Sequence, residues 1–451
     1  MAKNLNMTRG NPMKLLFFFS LPLMFGNIFQ QLYTVVDTAI VGRGVGMTAL
    51  AALGTVDWLN WMFLGIAQGF TSGFAVRISQ NFGRNNHRGM QKAAGQSAFL
   101  SAAIALLVVI LGQLLLPVFL MAMQVPMDLR PMGTQYMRIM LAGFPAVMFF
   151  NYCASLLRAV GNSKTPLIAM ITASFVNIVL DILFVFSFRW GIAGAAVATV
   201  IAQCLSGAVC AWKVVRTPEL HFHKEDWKPE IPLCKDLLAI GAPVAAKNVI
   251  IALGGMVVQS IVNGFSLAFI AGFTSTNKLY GLLEIAATSY GYAVTTYVGQ
   301  NYGAMDLDRV KKGMRAATIL AVVTSLIIAT IMFVFGRPIT MLFISREDPV
   351  MAVDAGNIAY WYLCAMSVSL PVLYLLYVYQ SGLQGMGNTV VPMVSGILEF
   401  FLRVSLSITI ALTGFQYGIF GAEVSAWWGA AIFLMISYFH HYNKVKKKHS
   451  L

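Results

Sequence analysis

Long apolar runs separated by short polar segments dominate this chain. An α-helix needs about 20 residues to cross the hydrocarbon core of a bilayer. Twelve runs reach that length, near residues 13–41, 50–76, 93–121, 134–158, 164–187, 191–212, 237–262, 266–298, 316–342, 356–381, 389–412 and 417–441. The pattern therefore predicts an all-α polytopic membrane protein with twelve transmembrane helices.

Short motifs of the first half recur in order in the second half. Gln80–Gly83 reappears 220 positions later as Gln300–Gly303, and Pro22 has a counterpart in Pro243. Five further residues recur 226 positions later: Pro145, Ser155, Gly161, Asn162 and Pro166 correspond to Pro371, Ser381, Gly387, Asn388 and Pro392. The repeat predicts two six-helix bundles related by a parallel pseudo-two-fold repeat, with substrate handled between them. We expect lobes at 1–212 and 236–451, joined by a cytoplasmic linker at 213–235.

Composition agrees with a membrane protein. Hydrophobic residues make up 58% of the chain and charged residues 11%, against about 25% charged residues in a soluble domain. The net charge of +14 raises nucleic acid as a partner. However, the basic residues concentrate in alternate connecting segments, for example 77–92, 213–235, 309–315 and 444–448. Such alternation marks cytoplasmic loops, so we expect a plasma-membrane protein with both termini cytoplasmic and no nucleic-acid partner.

The sequence carries no motif typical of an enzyme. The five cysteines form no CxxC pair, so neither a disulfide framework nor a cysteine metal site is indicated. P-loop, HExxH, nucleophile-elbow and kinase motifs are absent from the sequence. We expect no enzymatic activity, no organic cofactor and no ATPase subunit, which leaves an ion gradient as the source of energy.

Polar groups inside the first predicted bundle form the candidate site. An ionisable residue within a membrane span is costly and indicates a function. Asp37, Asp181, Asn177 and Thr199 lie at similar distances from the predicted outer ends of three helices, where they could converge on one outward-facing cavity. A buried carboxyl group can take up a proton, and with an amide and a hydroxyl oxygen it can instead bind Na⁺. The alternative is that both carboxylates pair with basic residues near the outer surface, such as Arg43 or Arg189.

Other residues in the spans are candidates for movement or for substrate contacts. Pro22 lies fifteen residues before Asp37 in the same predicted helix and removes a backbone hydrogen bond, so it is either a hinge or a static kink. The candidate substrate-binding residues are Tyr33, Tyr136, Asn151 and Glu284. No metal site is expected beyond possible Na⁺ at the polar residues of the first bundle.

The second half does not duplicate the carboxylate pair. At the offset of 226, Arg403 takes the place of Asn177, and Ser407 that of Asp181. Glu399 and Arg403 are spaced i,i+4, which predicts a mutual pair. Glu284 is the second-half charge that we expect to act on substrate or ion, with a role in packing alone as the alternative.

Taken together, these motifs resemble those of the MATE (multidrug and toxic compound extrusion) family. The chain is most similar to the DinF-like branch, within the multidrug/oligosaccharidyl-lipid/polysaccharide flippase superfamily. The matching pieces are Pro22…Asp37-Thr38…Gly42, the 80–83 and 300–303 motifs, residues 158–166, Asn177…Asp181 and residues 191–199. They cover nearly the whole chain, and their combination is specific although each is weak alone.

The resemblance implies two bundles that alternate between outward and inward openings. It implies export of cationic, amphipathic compounds against inward flow of H⁺ or Na⁺ across the lipid bilayer, by a chain that works as a monomer. Carried over by position, Asp37, Asn177, Asp181 and Thr199 match the family's ion cluster and Pro22 its hinge. The other main branch uses carboxylates in its seventh and tenth helices, whereas Glu284 and Glu399 lie on the eighth and eleventh predicted spans here.

Two other classes of function remain as alternatives. A flippase for a lipid-linked precursor belongs to the same superfamily, but it favours additional helices and a large basic cavity. A receptor or membrane enzyme needs a soluble domain or a catalytic constellation.

Overall fold

The computed structural model describes residues 5–123, 125–221, 223, 226, 228–341, 344 and 349–449. Within them the chain forms helices and short connections and no β-strand. The helices are α1 (Pro12–Gly44), α2 (Met47–Gly83), α3 (His87–Ala122), α4 (Arg130–Ala142), α5 (Phe144–Ala159), α6 (Lys164–Asp181), α7 (Gly191–Val215), α8 (Ile231–Val262), α9 (Leu267–Gly303), α10 (Leu307–Met341), α11 (Pro349–Gly385), α12 (Val390–Thr413) and α13 (Ile419–His449). A π-helical turn, Ile182–Ser187, extends α6. The all-α class predicted from the sequence is confirmed.

Apart from one or two end residues, every predicted span lies on one of these helices or on a pair of them; residue 342, the end of the span predicted at 316–342, is outside the described residues. Ten helices of the described chain are long and apolar enough to cross a membrane, and α4 with α5 adds an eleventh, bent by 46°. The predicted span 266–298 falls on α9, whose 37 residues suffice in length but include Lys278 and Glu284. A helix is favoured throughout because it satisfies its backbone polar groups internally, which lipid cannot do.

The bend between α4 and α5 follows from a proline. Pro145 occupies one of the first two positions of α5, where its missing N–H interrupts the hydrogen bonding that would continue α4. Gly143 forms the corner. One predicted span is therefore built from two short helices.

The described chain divides into two compact units. The first comprises the described residues of Met1–Arg9 and Leu21–Val249, and the second comprises Gly10–Ser20 and the described residues of Ile250–Leu451. Residues 236–249 thus group with the first unit, although the sequence places the start of the second lobe at residue 236. The division of α1 falls between residues 20 and 21, next to Pro22.

Small residues explain why the first part of α8 belongs to the first unit. A Cβ on Gly69 of α2 would clash with the backbone of Ala245, and one on Gly73 with that of Gly241. Each helix therefore presents two small residues four positions apart at the contact, the arrangement that lets membrane helices approach closely.

An aromatic stack forms part of the core of the second unit. Phe273 of α9 stacks on Tyr362 of α11 at 4.9 Å between ring centroids, and Tyr362 stacks on Phe420 of α13 at 4.7 Å. Phe269 continues the stack on Phe420 at 5.7 Å. The rings tie three helices together by packing rather than by charge.

The repeated motifs adopt repeated conformations. Gly161 and Gly387 have φ angles of 85° and 88°, values that favour glycine because they lack the clash of a Cβ. In both turns the next amide donates to the carbonyl five residues earlier, at 2.8 Å and 3.0 Å. Asn85 and Met305, 220 positions apart, also share positive φ angles, 57° and 62°. The predicted internal repeat is therefore confirmed at the level of turn geometry.

Candidate ion-binding cluster in the first unit

The register of α1 against α6 brings Asp37 level with Asp181. A Cβ on Gly26 of α1 would lie 3.1 Å from Met170 Sδ of α6. At this contact, each residue of α1 lies beside the residue of α6 that is 144 positions later in the sequence. At the other end of α1, a Cβ on Gly44 would lie 3.0 Å from a ring carbon of Phe186, an offset of 142. The two helices run parallel, so Asp37 lies at the height of residues 179–181.

The register of α7 adds Thr199 to the same level. A Cβ on Gly191, at the start of α7, would lie 3.8 Å from Val45 Cγ1, just after the end of α1. Because α7 runs antiparallel to α1, eight residues along each chain from this contact lead to Asp37 and Thr199. The Thr199 hydroxyl donates to the carbonyl of Ala195 at 3.1 Å, which leaves the lone pairs of its oxygen free to bind a cation or a donor.

The cluster is buried and its polar atoms lack partners. Asp37 is 9% exposed, and Asn177 and Asp181 are fully buried. Among the described residues, no hydrogen-bond partner reaches Oδ1 of Asp37, either polar side-chain atom of Asn177, or either carboxylate oxygen of Asp181. Asp181 also interacts electrostatically with Asp37. Buried polar atoms in native proteins are nearly always hydrogen-bonded. The lack of protein partners here therefore indicates that these atoms bind a cation or a proton.

The alternative of simple charge pairing is not what the structure shows. Neither Asp37 nor Asp181 forms an ion pair with any residue in the described part of the chain, and Arg43 and Arg189 both belong to that part. In addition, α6 ends at Asp181 and continues as the π-helical turn, a local geometry that is frequent at functional sites.

A small cavity of about 20 Å³, with room for about one water molecule, lies one helical turn from the cluster. Its lining residues are Gln30, Tyr33, Phe150, Met170, Ala173, Ala202, Gln203 and Ser206. Tyr33 precedes Asp37 by four residues, Ala173 precedes Asn177 by four, and Gln203 follows Thr199 by four. Residues four apart share a helix face. The cavity and the cluster therefore lie on the same faces of α1, α6 and α7, one helical turn apart.

Of the other candidate substrate-binding residues, two lie near the cluster and one does not face the cavity. Tyr33 lines the cavity, and the buried Tyr136 of α4 interacts electrostatically with Asp37. Asn151 is buried, but its amide donates to the carbonyl of Val147 at 2.9 Å, and its neighbour Phe150 lines the cavity instead.

Glu284, the remaining candidate substrate residue, belongs to the second unit. It lies on α9 and accepts a hydrogen bond from the hydroxyl of Tyr377 on α11. Glu284 is therefore not part of the first-unit cluster.

The equivalent place in the second unit has different chemistry. Arg403 donates to Glu423 of α13 at 2.8 Å, so its ion pair crosses to another helix. Glu399 also acts electrostatically on Arg403, so the predicted pair is one side of a three-residue group. Ser407 is fully buried, and its hydroxyl has no hydrogen-bond partner within the described residues.

Three polar residues near these groups escaped the sequence analysis. Asp57 of α2 interacts electrostatically with Asp37, Gln203 lines the cavity, and Glu423 pairs with Arg403. The signal that could have found Asp57 and Glu423 is the one that found Asp37, a charge within a predicted span. Gln203 could have been found from its i,i+4 spacing to Thr199.

Comparison with known proteins identifies the family. The model of the MatE family matches residues 22–183 and 243–409. A probable multidrug resistance protein, YpnP of Bacillus subtilis, is 27% identical and aligns over 77% of this chain and 78% of its own length. A probable multidrug resistance protein, NorM of Thermotoga maritima, is 23% identical over 90% of this chain and 87% of its own.

Solved structures agree in fold. The crystal structure of a MATE protein in complex with MaL6 superposes with a TM-score of 0.91 at 22% identity, covering 99% of this chain and 100% of that one. An outward-facing multidrug resistance MATE transporter gives a TM-score of 0.90 at 22% identity, with 99% of each chain covered. Since the family model matches both halves of the sequence, the chain belongs to the MATE family of membrane transporters.

Proposed function

We propose that this protein is a secondary active multidrug exporter that expels cationic, amphipathic compounds by antiport with H⁺ or Na⁺. The observation that carries the proposal is the buried group of Asp37, Asn177 and Asp181, in which five polar atoms have no partner among the described residues. A group of this kind binds a small cation or takes up protons, because either event removes the cost of unpaired buried oxygens.

The residues that line the cavity beside the cluster have the chemistry of a contact site for an organic cation. Tyr33 and Phe150 provide aromatic faces for a cation, and Met170 provides an adaptable apolar wall. None of the described residues that line the cavity is basic, whereas a lipid-linked diphosphate needs cationic partners. This favours drug-like cations over the flippase alternative. The names of the relatives YpnP and NorM, both multidrug resistance proteins, point the same way.

The closeness of the cavity to the cluster couples substrate binding to ion binding. Asp37 and Tyr33 lie on successive turns of α1, so a cation at the cluster and a cation in the cavity repel each other through a low-dielectric interior. Binding of the coupling ion from the outer side therefore weakens substrate binding, and alternating access converts that competition into export. Pro22, next to the division of α1 between the two units, is the proposed hinge. We also propose cytoplasmic termini and a monomeric transporter.

Efflux from proteoliposomes tests the proposal. The purified protein is reconstituted with a fluorescent cationic dye, and pH and Na⁺ gradients are imposed separately. We expect wild-type protein to move dye against its gradient in response to at least one of them. Asp37→Asn and Asp181→Asn should abolish this ion-driven movement while leaving membrane insertion unchanged.

Asp128→Asn is the matched control, because Asp128 is an exposed aspartate in the connection before α4. It should transport as wild type does. Full ion-driven efflux by both the Asp37 and Asp181 variants would contradict the assignment of the cluster. Movement of lipid-linked sugars without any dye transport would favour the flippase.

A further inference from the structure

Asp57 is a charged residue of α2 without an assigned role. Its side chain is exposed, although it lies eleven residues into a helix of 37 residues. Charged side chains within membrane spans almost always face the bundle interior or a water-filled cavity.

Packing places Asp57 at the depth of Asp37. A Cβ on Gly42 of α1 would lie 3.4 Å from Leu50 Cδ2 of α2, and the two helices run antiparallel. From this contact Asp37 is five residues along α1 and Asp57 is seven along α2. At about 1.5 Å per residue the two carboxyl groups differ in depth by about 3 Å.

The neighbouring helix α4 encloses the same level. A Cβ on Gly133 would lie 3.2 Å from Val56 Cγ1, next to Asp57 in sequence. Tyr136, one turn further along α4, interacts electrostatically with both Asp37 and Asp57. Asp57, Asp37 and Tyr136 thus approach one another from three helices of the first unit.

The three carboxyl groups form an ordered series. Asp37 interacts electrostatically with Asp57, and Asp181 interacts with Asp37. Their exposure falls along the same series, from the exposed Asp57 through Asp37 at 9% to the fully buried Asp181. The inner end of the series carries the oxygens of Asp37 and Asp181 that no described residue satisfies.

We infer that Asp57 is a relay carboxylate that transfers the coupling cation from water on the predicted outer side to Asp37. This role rests on the proposed ion-driven export. For a proton, the O–H of the Asp57 carboxylic acid breaks as its proton passes to a water molecule, and that water gives a proton to the Asp37 carboxylate. The Asp57 carboxylate then takes a proton from hydronium. For Na⁺, the Asp57 carboxylate replaces part of the hydration shell before Asp37 does. Asp57 is thus a positioning residue for ion entry and not a member of the final site.

Dye efflux from proteoliposomes that contain the Asp57→Asn variant gives two separate quantities, the initial rate of efflux and the final dye gradient. At limiting H⁺ or Na⁺, supplied in separate arms, we expect the initial rate of dye efflux to fall about tenfold, as loss of electrostatic focusing at a cleft predicts. The final dye gradient should equal that of wild type, because the inner carboxylates still couple transport. Asp57→Glu should restore the rate, and the arm that shows the defect identifies the relayed cation.

Two results would overturn the inference. One is an unchanged initial rate in both arms, which would make Asp57 irrelevant to ion entry. The other is a lost final gradient, as expected for Asp181→Asn, which would place Asp57 in the coupling site itself. A wild-type protein without ion-driven efflux would instead refute the proposed function, so the two failures are distinguishable. Dye binding without a gradient, equal in wild type and Asp57→Asn, verifies the fold of the variant.

Discussion

The burial of Asp181 predicts that its removal stabilises the protein while it abolishes transport. The carboxylate is fully buried at the end of α6, and neither oxygen has a hydrogen-bond partner among the described residues. Asp181→Asn keeps the shape of the side chain and removes the charge. It also removes the electrostatic interaction with Asp37, which is repulsive when both carboxyl groups are ionised.

The magnitude follows from the cost of unsatisfied buried groups. A buried polar atom without a partner costs about 1–3 kcal/mol, and more when it is charged. Two such oxygens therefore cost at least about 2 kcal/mol. An amide in their place is neutral and can bond to Asn177 one turn earlier, so most of this cost is relieved. For a unit of this size, a gain of about 2 kcal/mol raises Tm by about 4–8 °C.

Thermal unfolding in detergent measures the effect. The comparison is made in Na⁺-free alkaline buffer, because high pH favours the ionised form of a carboxyl group and the buffer supplies no Na⁺ to bind it. Under these conditions Asp181→Asn should unfold at a higher temperature than wild type, and Asp128→Asn at the wild-type temperature. If Na⁺ is the coupling ion, adding it at about 100 times its Kd should stabilise wild type by about 2.7 kcal/mol and Asp181→Asn far less.

A lower Tm for Asp181→Asn would refute the reasoning. It would mean that the carboxylate makes stabilising interactions in the folded protein, and that it is a structural group rather than an ion receptor. An unchanged Tm together with unchanged efflux would also contradict the assignment.

Two further predictions concern other parts of the molecule. Arg403→Met should lower the free energy of unfolding by about 3–5 kcal/mol, because it leaves Glu399 and Glu423 without the guanidinium on which both act. Glu423→Gln should lower the free energy of unfolding by less, since Arg403 still interacts with Glu399. Equal destabilisation of the two variants in thermal unfolding would contradict this prediction. Pro22→Ala restores a backbone donor in α1, where a proline costs about 3 kcal/mol or more. It should slow dye efflux without weakening dye binding, and unaltered efflux would exclude a hinge at this residue.

Local signals account for the parts of the fold that the sequence predicts well. The spans follow from apolar run length, because a helix is the structure that crosses lipid with its backbone satisfied. The turns at Gly161 and Gly387 follow from the repeat, since both need the positive φ that glycine favours. Counting along the predicted helices likewise gives the similar depth of Asp37, Asn177 and Asp181.

Side-chain partners across helices depend on packing and could not be read along one helix. The i,i+4 spacing predicted Glu399 beside Arg403, and Glu399 does act on Arg403. The spacing could not predict that the guanidinium also donates to Glu423 of α13, a helix whose position is set by packing. Asp57 lies near Asp37 because of the contact between Gly42 and Leu50, which no periodicity reveals.

The sequence by itself determined that this protein is an all-helical membrane transporter with an internal repeat, because run length and motif spacing are properties of the chain. The tertiary structure decided which polar groups share a site. Glycines of α1 set its register against α6 and α2, and those registers bring Asp57, Asp37 and Asp181 into one series of falling exposure. The physical reason is that depth in a membrane is counted along a helix, whereas contact requires two helices to pack in a definite register.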